Sequence, residues 1–136
     1  SVYGPGEESK GIFANLVSQF MWAMKKGESP VIYGDGTQTR DFTYVKDVVK
    51  ANMLAMESKK RLNDVFNVGT GTEVSLNGLV EILNRILKKE IKAKYVINDV
   101  KNYISAQMAD ISKIRKELGY EPGFMLEAGI RDMLSQ

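Results

Sequence analysis

A chain of 136 residues, 43% hydrophobic and 26% charged, has the composition of a globular domain with room for one core, which excludes intrinsic disorder. A net charge of +2, with no Lys/Arg cluster interleaved with aromatics, argues against a nucleic-acid partner. There is neither Cys nor His. Disulfides, thiolate metal sites and cysteine nucleophiles are therefore excluded, the absence of Cys suits a reducing cytoplasm, and acid–base chemistry falls to Tyr, Lys, Asp or Glu. No apolar run approaches the roughly 18 residues of a membrane span, and no stretch reads as a signal peptide. The opening "SVYGPG", starting at Ser1, reads as the middle of a longer protein.

In chain order, "GIFANLVSQFMWAMKK" (11–26) places Phe13, Leu16, Val17, Phe20, Met21 and Met24 at helical spacing, with Gly27 where a stop belongs. "PVIY" and "DFTYV" read as short strands. "KDVVKANMLAMES" reads as a helix with Val48, Ala51, Leu54 and Ala55 inward, and "DVFNV" as a further strand closed by "GTGT". The clearest helix is "SLNGLVEILNRILKK", where Leu76, Leu79, Val80, Leu83, Ile86 and Leu87 form one stripe behind a Ser75 cap. "AKYVI" is another strand, residues 110–118 a helix stopped by Gly119, and "LEAGIRDML" the last helix. Alternating elements with short loops and more helix than strand predict an α/β (or small α+β) domain with little sheet, spanning residues 1–136. Met21, Met24, Met53 and Met56 read as core filler.

Few residues carry chemistry. "GTG" after an apolar run invites a dinucleotide loop, but the fingerprint needs a third glycine where Val74 stands; "GDGTQT" has Thr39 in that slot. Both read as turns. No tyrosine has a lysine four residues on, so a Tyr-x-x-x-Lys acid–base pair is absent. Arg40, in "YGDGTQTRDF", either pairs with Asp35 or Asp47 or faces an anion; its planar guanidinium matches a phosphate bidentately. Tyr33 ends the preceding strand where it could stack on a base, and Gly34 and Gly36 allow close backbone approach. Lys10 is either a solvated charge or, if desolvated, a base. No metal site is suggested.

Together "VYGPGE", "GDGTQTRDFTYVKDV", "FNVGTGTEVS" and "ADISKIRKELGYEP" resemble the C-terminal, substrate-binding part of extended short-chain dehydrogenases/reductases, the NAD-dependent nucleotide-sugar epimerases and dehydratases typified by UDP-glucose 4-epimerase. The resemblance implies a missing N-terminal Rossmann domain that carries NAD or NADP, the glycine fingerprint and the Tyr-x-x-x-Lys pair. The implied chemistry is transient oxidation of a sugar carbinol and return of hydride with inverted configuration, with this chain inactive alone. It further implies that Asn15 and Leu16 hold the nucleotide, Val31, Tyr33 and Gly34 line the base pocket, Arg40 clamps the diphosphate, and the Val2 backbone lies near the nicotinamide. A second resemblance, carried by "YGPGEESKG" and "GESPVIYG", is to ADP-heptose 6-epimerases. It implies a catalytic Lys10, a substrate contact at Gln19 and a substrate tyrosine at Tyr103 in "VKNYISAQMAD". Where the 4-epimerase pattern has Arg-x-Gly-Asp this chain has "VKNY", so the sugar stays open. A stand-alone nucleotide- or partner-binding module from a split gene is the rival of another class.

Overall fold

The computed structural model describes residues 1–60 and 63–135. Strand β1 (Val2–Tyr3) leads through a 3-10 segment (Glu8–Phe13) to helix α1 (Leu16–Lys26). Strands β2 (Val31–Tyr33), β3 (Thr39–Arg40) and β4 (Thr43–Tyr44) precede α2 (Val45–Glu57). Then come β5 (Val74–Ser75), α3 (Leu76–Leu87), β6 (Lys94–Val96), α4 (Ser112–Leu118) and α5 (Leu126–Leu134). The strands form three two-stranded pieces: β1 with β4 and β2 with β6, both parallel, and β3 with β5, antiparallel. The fold is α/β with minimal sheet, as the preponderance of helical spacing predicted. Among the described residues no helix is long and apolar enough to cross a membrane.

Local chemistry sets the helix ends. The Asn15 side chain accepts from the Val17 N–H (3.0 Å) to start α1, and Gly27 at φ 84° closes it. Ser75 accepts from the Gly78 N–H (3.0 Å) at the start of α3. The predicted stripe of α3 is buried at Leu76, Leu79, Val80 and Leu83 and continues through half-buried Ile86 and Leu87. It packs with Val17, Phe20, Met21 and Met24 of α1, with Ile32, Tyr3 and Tyr44 of the strands, and with Leu126 and Ile130 of α5. A smaller second core joins Ala51 of α2 to Ile111, Ile114 and Tyr120.

Several expectations are corrected. The first helix begins at Leu16 because Ala14 (ψ 156°) and Asn15 (ψ 149°) are extended, separating it from a 3-10 segment itself kinked at Gly11 (φ 53°); Phe13 points outward, 85% exposed. "DVFNV" (64–68) is not a strand. Phe66 and Val68 pack on the second core without a ladder partner, and Val65 is exposed. On α2, Val48 and Leu54 are half-buried and Ala55 is exposed, while Asp47 is buried, accepting from the Gly123 and Phe124 N–H groups (2.7 and 3.0 Å). Met53 and Met56 are exposed, not core.

Candidate functional site

The stretch "YGDGTQTRD" forms a turn with a strand on each side. Gly34 and Gly36 take φ of 94° and 80°, a region L side chains seldom occupy, and a Cβ at Gly36 would collide with the Asn77 side chain. The Asp35 carboxylate accepts from the Thr37 hydroxyl (2.7 Å) and N–H (2.9 Å), which hold it below the ordinary Asp range. Asn77 donates to the Asp35 carbonyl (3.1 Å) and its N–H to the Gly36 carbonyl (3.0 Å), fastening the turn over the start of α3. Gln38 donates to the Tyr33 carbonyl (2.6 Å). Beside this turn lies an open cavity of about 360 Å³ whose walls include Tyr33, Gly34, Gln38, Asn98, Tyr103 and Ser105.

Arg40 and Asp41, adjacent on an extended segment, point to opposite sides. Asp41 is buried and accepts from the Thr70 N–H (2.9 Å), the Thr70 hydroxyl (2.7 Å), the Gly71 N–H (3.0 Å) and the Ala109 N–H (3.2 Å). Arg40 is half-buried; its guanidinium lies 5.3 Å from the centroid of the Tyr103 ring, and Nη1 donates to the Thr39 carbonyl (2.6 Å). Among the described residues Arg40 has no carboxylate partner. Asp35 is engaged with Thr37, and Asp47 with the 123–124 backbone. The alternative of an Arg40 ion pair with either is therefore not what the chain adopts.

The remaining candidates lie elsewhere. Glu7 is 5% exposed and accepts from the Ser18 hydroxyl (2.5 Å), the Asn15 N–H (3.1 Å) and Lys10 Nζ (3.1 Å). Burial alone would raise its pKa, but the Ser18, Asn15 and Lys10 bonds outweigh it and hold the carboxyl below its ordinary range. The Lys10 side chain is 56% exposed, so the desolvation that would suit it to be a base is absent. Asn15 is the α1 cap, Leu16 packs half-buried on the main core, and Gln19 donates to the Ala14 carbonyl (2.7 Å). Gln19 also borders a separate open groove of about 1090 Å³ along α1 and α5. Val31 shares the exposed side of β2 with Tyr33, and Val2 is a half-exposed residue of β1.

Thus Tyr33, Gly34 and Tyr103 share one cavity, with Arg40 stacked on Tyr103, whereas Lys10, Asn15, Leu16 and Gln19 gather at the start of α1. Sequence reasoning missed Gln38, Asn98 and Ser105 in the cavity wall and the buried carboxylates Glu7 and Asp41. Only Asp41 carried a signal, its place beside Arg40 before an apolar residue.

No dinucleotide cradle forms at "GTG". The Thr70 and Gly71 N–H groups already donate to Asp41, and a Cβ at Gly69 would strike Ala109. The residues of this turn do not fit a nicotinamide dinucleotide.

Residues 2–133 match the family model described as GDP-mannose 4,6 dehydratase. A solved UDP-glucose 4-epimerase of Thermotoga maritima, with UDP-glucose, is 37% identical with a TM-score of 0.89, over 99% of this chain and 42% of that one. A UDP-glucuronic acid 4-epimerase of Bacillus cereus, solved with UDP-glucuronic acid and NAD, is 29% identical (TM-score 0.85, 99% and 42%). The ADP-L-glycero-D-manno-heptose-6-epimerase of Helicobacter pylori is 34% identical (TM-score 0.83, 99% and 40%). The chain spans about two fifths of the length of the curated relatives it matches. A match along nearly the whole chain, on the same fold, makes it a member of the nucleotide-sugar epimerase/dehydratase family of extended short-chain dehydrogenases/reductases.

Proposed function

We propose that this chain is the nucleotide-sugar-binding part of an NAD(P)-dependent sugar epimerase of the UDP-glucose 4-epimerase kind, completed by a Rossmann domain and acting in the cytoplasm. The observation that carries this reading is Arg40: a guanidinium with no carboxylate partner among the described residues, stacked on a residue of a cavity that Tyr33 also lines. A fixed cation there suits a diphosphate, and the exposed Tyr33 ring suits a base. Asn15, Leu16, Gln19, Val31 and Gly34 are proposed further nucleotide or sugar contacts, and Val2 a backbone neighbour of the cofactor. NAD or NADP, held by the Rossmann domain, supplies the hydride chemistry. This chain binds and orients the sugar nucleotide, and ordering the reactants in this way is itself a large part of such catalysis.

Calorimetric titration with UDP tests the reading. Arg40→Ala is expected to weaken binding about 10- to 100-fold, the equivalent of a charged hydrogen bond. Equal heats for both proteins overturn it. A second reading, an ADP-heptose 6-epimerase part, is supported by the likeness to the Helicobacter pylori heptose epimerase; the exposed, Glu7-paired Lys10 does not add to it as an acid/base. Tighter binding of ADP than UDP selects it.

A further inference from the structure

We propose, resting on the nucleotide-binding reading, that Tyr103 is a positioning residue: the face of its ring, not its hydroxyl, holds the Arg40 guanidinium beside the cavity without neutralising it. A carboxylate would orient an arginine equally well but would cancel the charge that a phosphate needs. An aromatic face attracts the cation through its quadrupole and leaves the charge available.

The backbone brings ring and guanidinium together. The Thr39 N–H donates to the Ser105 carbonyl and the Asp41 N–H to the Gln107 carbonyl (2.8 Å each), so the segment after Tyr103 runs alongside β3. Asp41 secures the far end through the Ala109 N–H (3.2 Å) and ties the same strand to Thr70 and Gly71. The two halves of "RD" thus divide the work: the carboxylate aligns three segments inward, and the guanidinium faces outward onto the ring those segments deliver. Nη1 is engaged with the Thr39 carbonyl, while Nε and Nη2 make no hydrogen bond among the described residues. The Tyr103 hydroxyl likewise has none there, so the ring is the functional surface in the free protein.

The test is UDP titration of wild type, Tyr103→Phe, Tyr103→Leu, Arg40→Ala and Arg40→Ala/Tyr103→Leu, together with the NMR shift of the Arg40 Nε–H in the free proteins. Tyr103→Leu is expected to weaken UDP binding about two- to fivefold, the range of an exposed cation–π contact. Tyr103→Phe restores it, and in the Arg40→Ala background Tyr103→Leu has no further effect. The ring-current shift of Nε–H survives in Tyr103→Phe and disappears in Tyr103→Leu. Equal weakening by Phe and Leu means that the hydroxyl touches ligand and overturns the proposal, as does additivity in the double variant. Wild-type binding unaffected by Tyr103→Leu also overturns it while sparing the nucleotide reading. Wild type and Arg40→Ala binding equally little overturns that reading, and the positioning role falls with it.

Discussion

Glu7, Asp41 and Asp47 are each buried, Asp41 and Asp47 where segments distant in sequence meet and Glu7 where the 3-10 segment turns into α1. A buried carboxylate is costly unless its lone pairs meet donors, and here backbone N–H groups and hydroxyls provide them. Glu7 illustrates the consequence for pH. Its folded pKa lies below the ordinary 4.5, so its stabilisation is complete above that value and is lost as pH falls through the lower, folded one. Glu7→Gln, which cannot accept all three bonds as a charge, is expected to reduce stability at pH 7 by about 1–3 kcal/mol. Urea unfolding of both proteins between pH 7 and 3 checks this: the gap should narrow below pH 4.5, and a constant gap would refute it. None of these roles was readable locally, since an acidic residue in a polar stretch looks the same whether it is solvated or clamped.

Elements are recognisable from sequence where one chain segment sets its own geometry. Asn15, Gly27, Ser75 and Gly119 cap helices through bonds or dihedrals internal to a few residues. "DVFNV" fails as a strand because a ladder needs a partner, and periodicity says nothing of whether one is adjacent. The outer side of α2 shows the same limit: Val49, Met53 and Met56 recur at helical spacing yet face outward, while the polar Asp47 lies inward. Contacts between elements are similarly hidden. Helix α5 approaches β1 so closely that a Cβ at Gly129 would overlap the Tyr3 hydroxyl, which donates to the Leu126 carbonyl (3.2 Å). Gly129→Ala is expected to cost about 1–3 kcal/mol through overpacking, despite alanine's higher helix propensity. A thermal melt lowered by several degrees checks it; an unchanged or raised melting temperature argues against the close approach.

At the scale of the molecule, Asp41 and Tyr120 both fasten the 69–71 turn, Asp41 through the Thr70 and Gly71 N–H groups and Tyr120 of the second core by donating its hydroxyl to the Gly69 carbonyl (2.9 Å); burial pushes the Tyr120 pKa up to about 12. The chain carries an open cavity of about 360 Å³ with the Arg40 guanidinium, held on Tyr103 and without a carboxylate partner among the described residues, at its edge, yet no dinucleotide cradle at its glycine turn. The 136-residue protein supplied with NAD and a UDP-sugar is therefore expected to show no nicotinamide absorbance change at 340 nm and no epimerised product. Turnover by this material alone would contradict the proposed division of labour. Composition, helix caps, the α3 stripe and four motifs in order determined the α/β class and the family, because each depends on neighbours in sequence. Only the tertiary structure decided which candidates meet. Tyr33, Gly34 and Tyr103 converge, with Arg40 on the Tyr103 ring, because segments some 65 residues apart pair across β3, whereas Lys10 and Asn15 are drawn instead to Glu7. Long-range pairing is a property of the packed chain, where burial selects among partners that the linear order leaves equivalent.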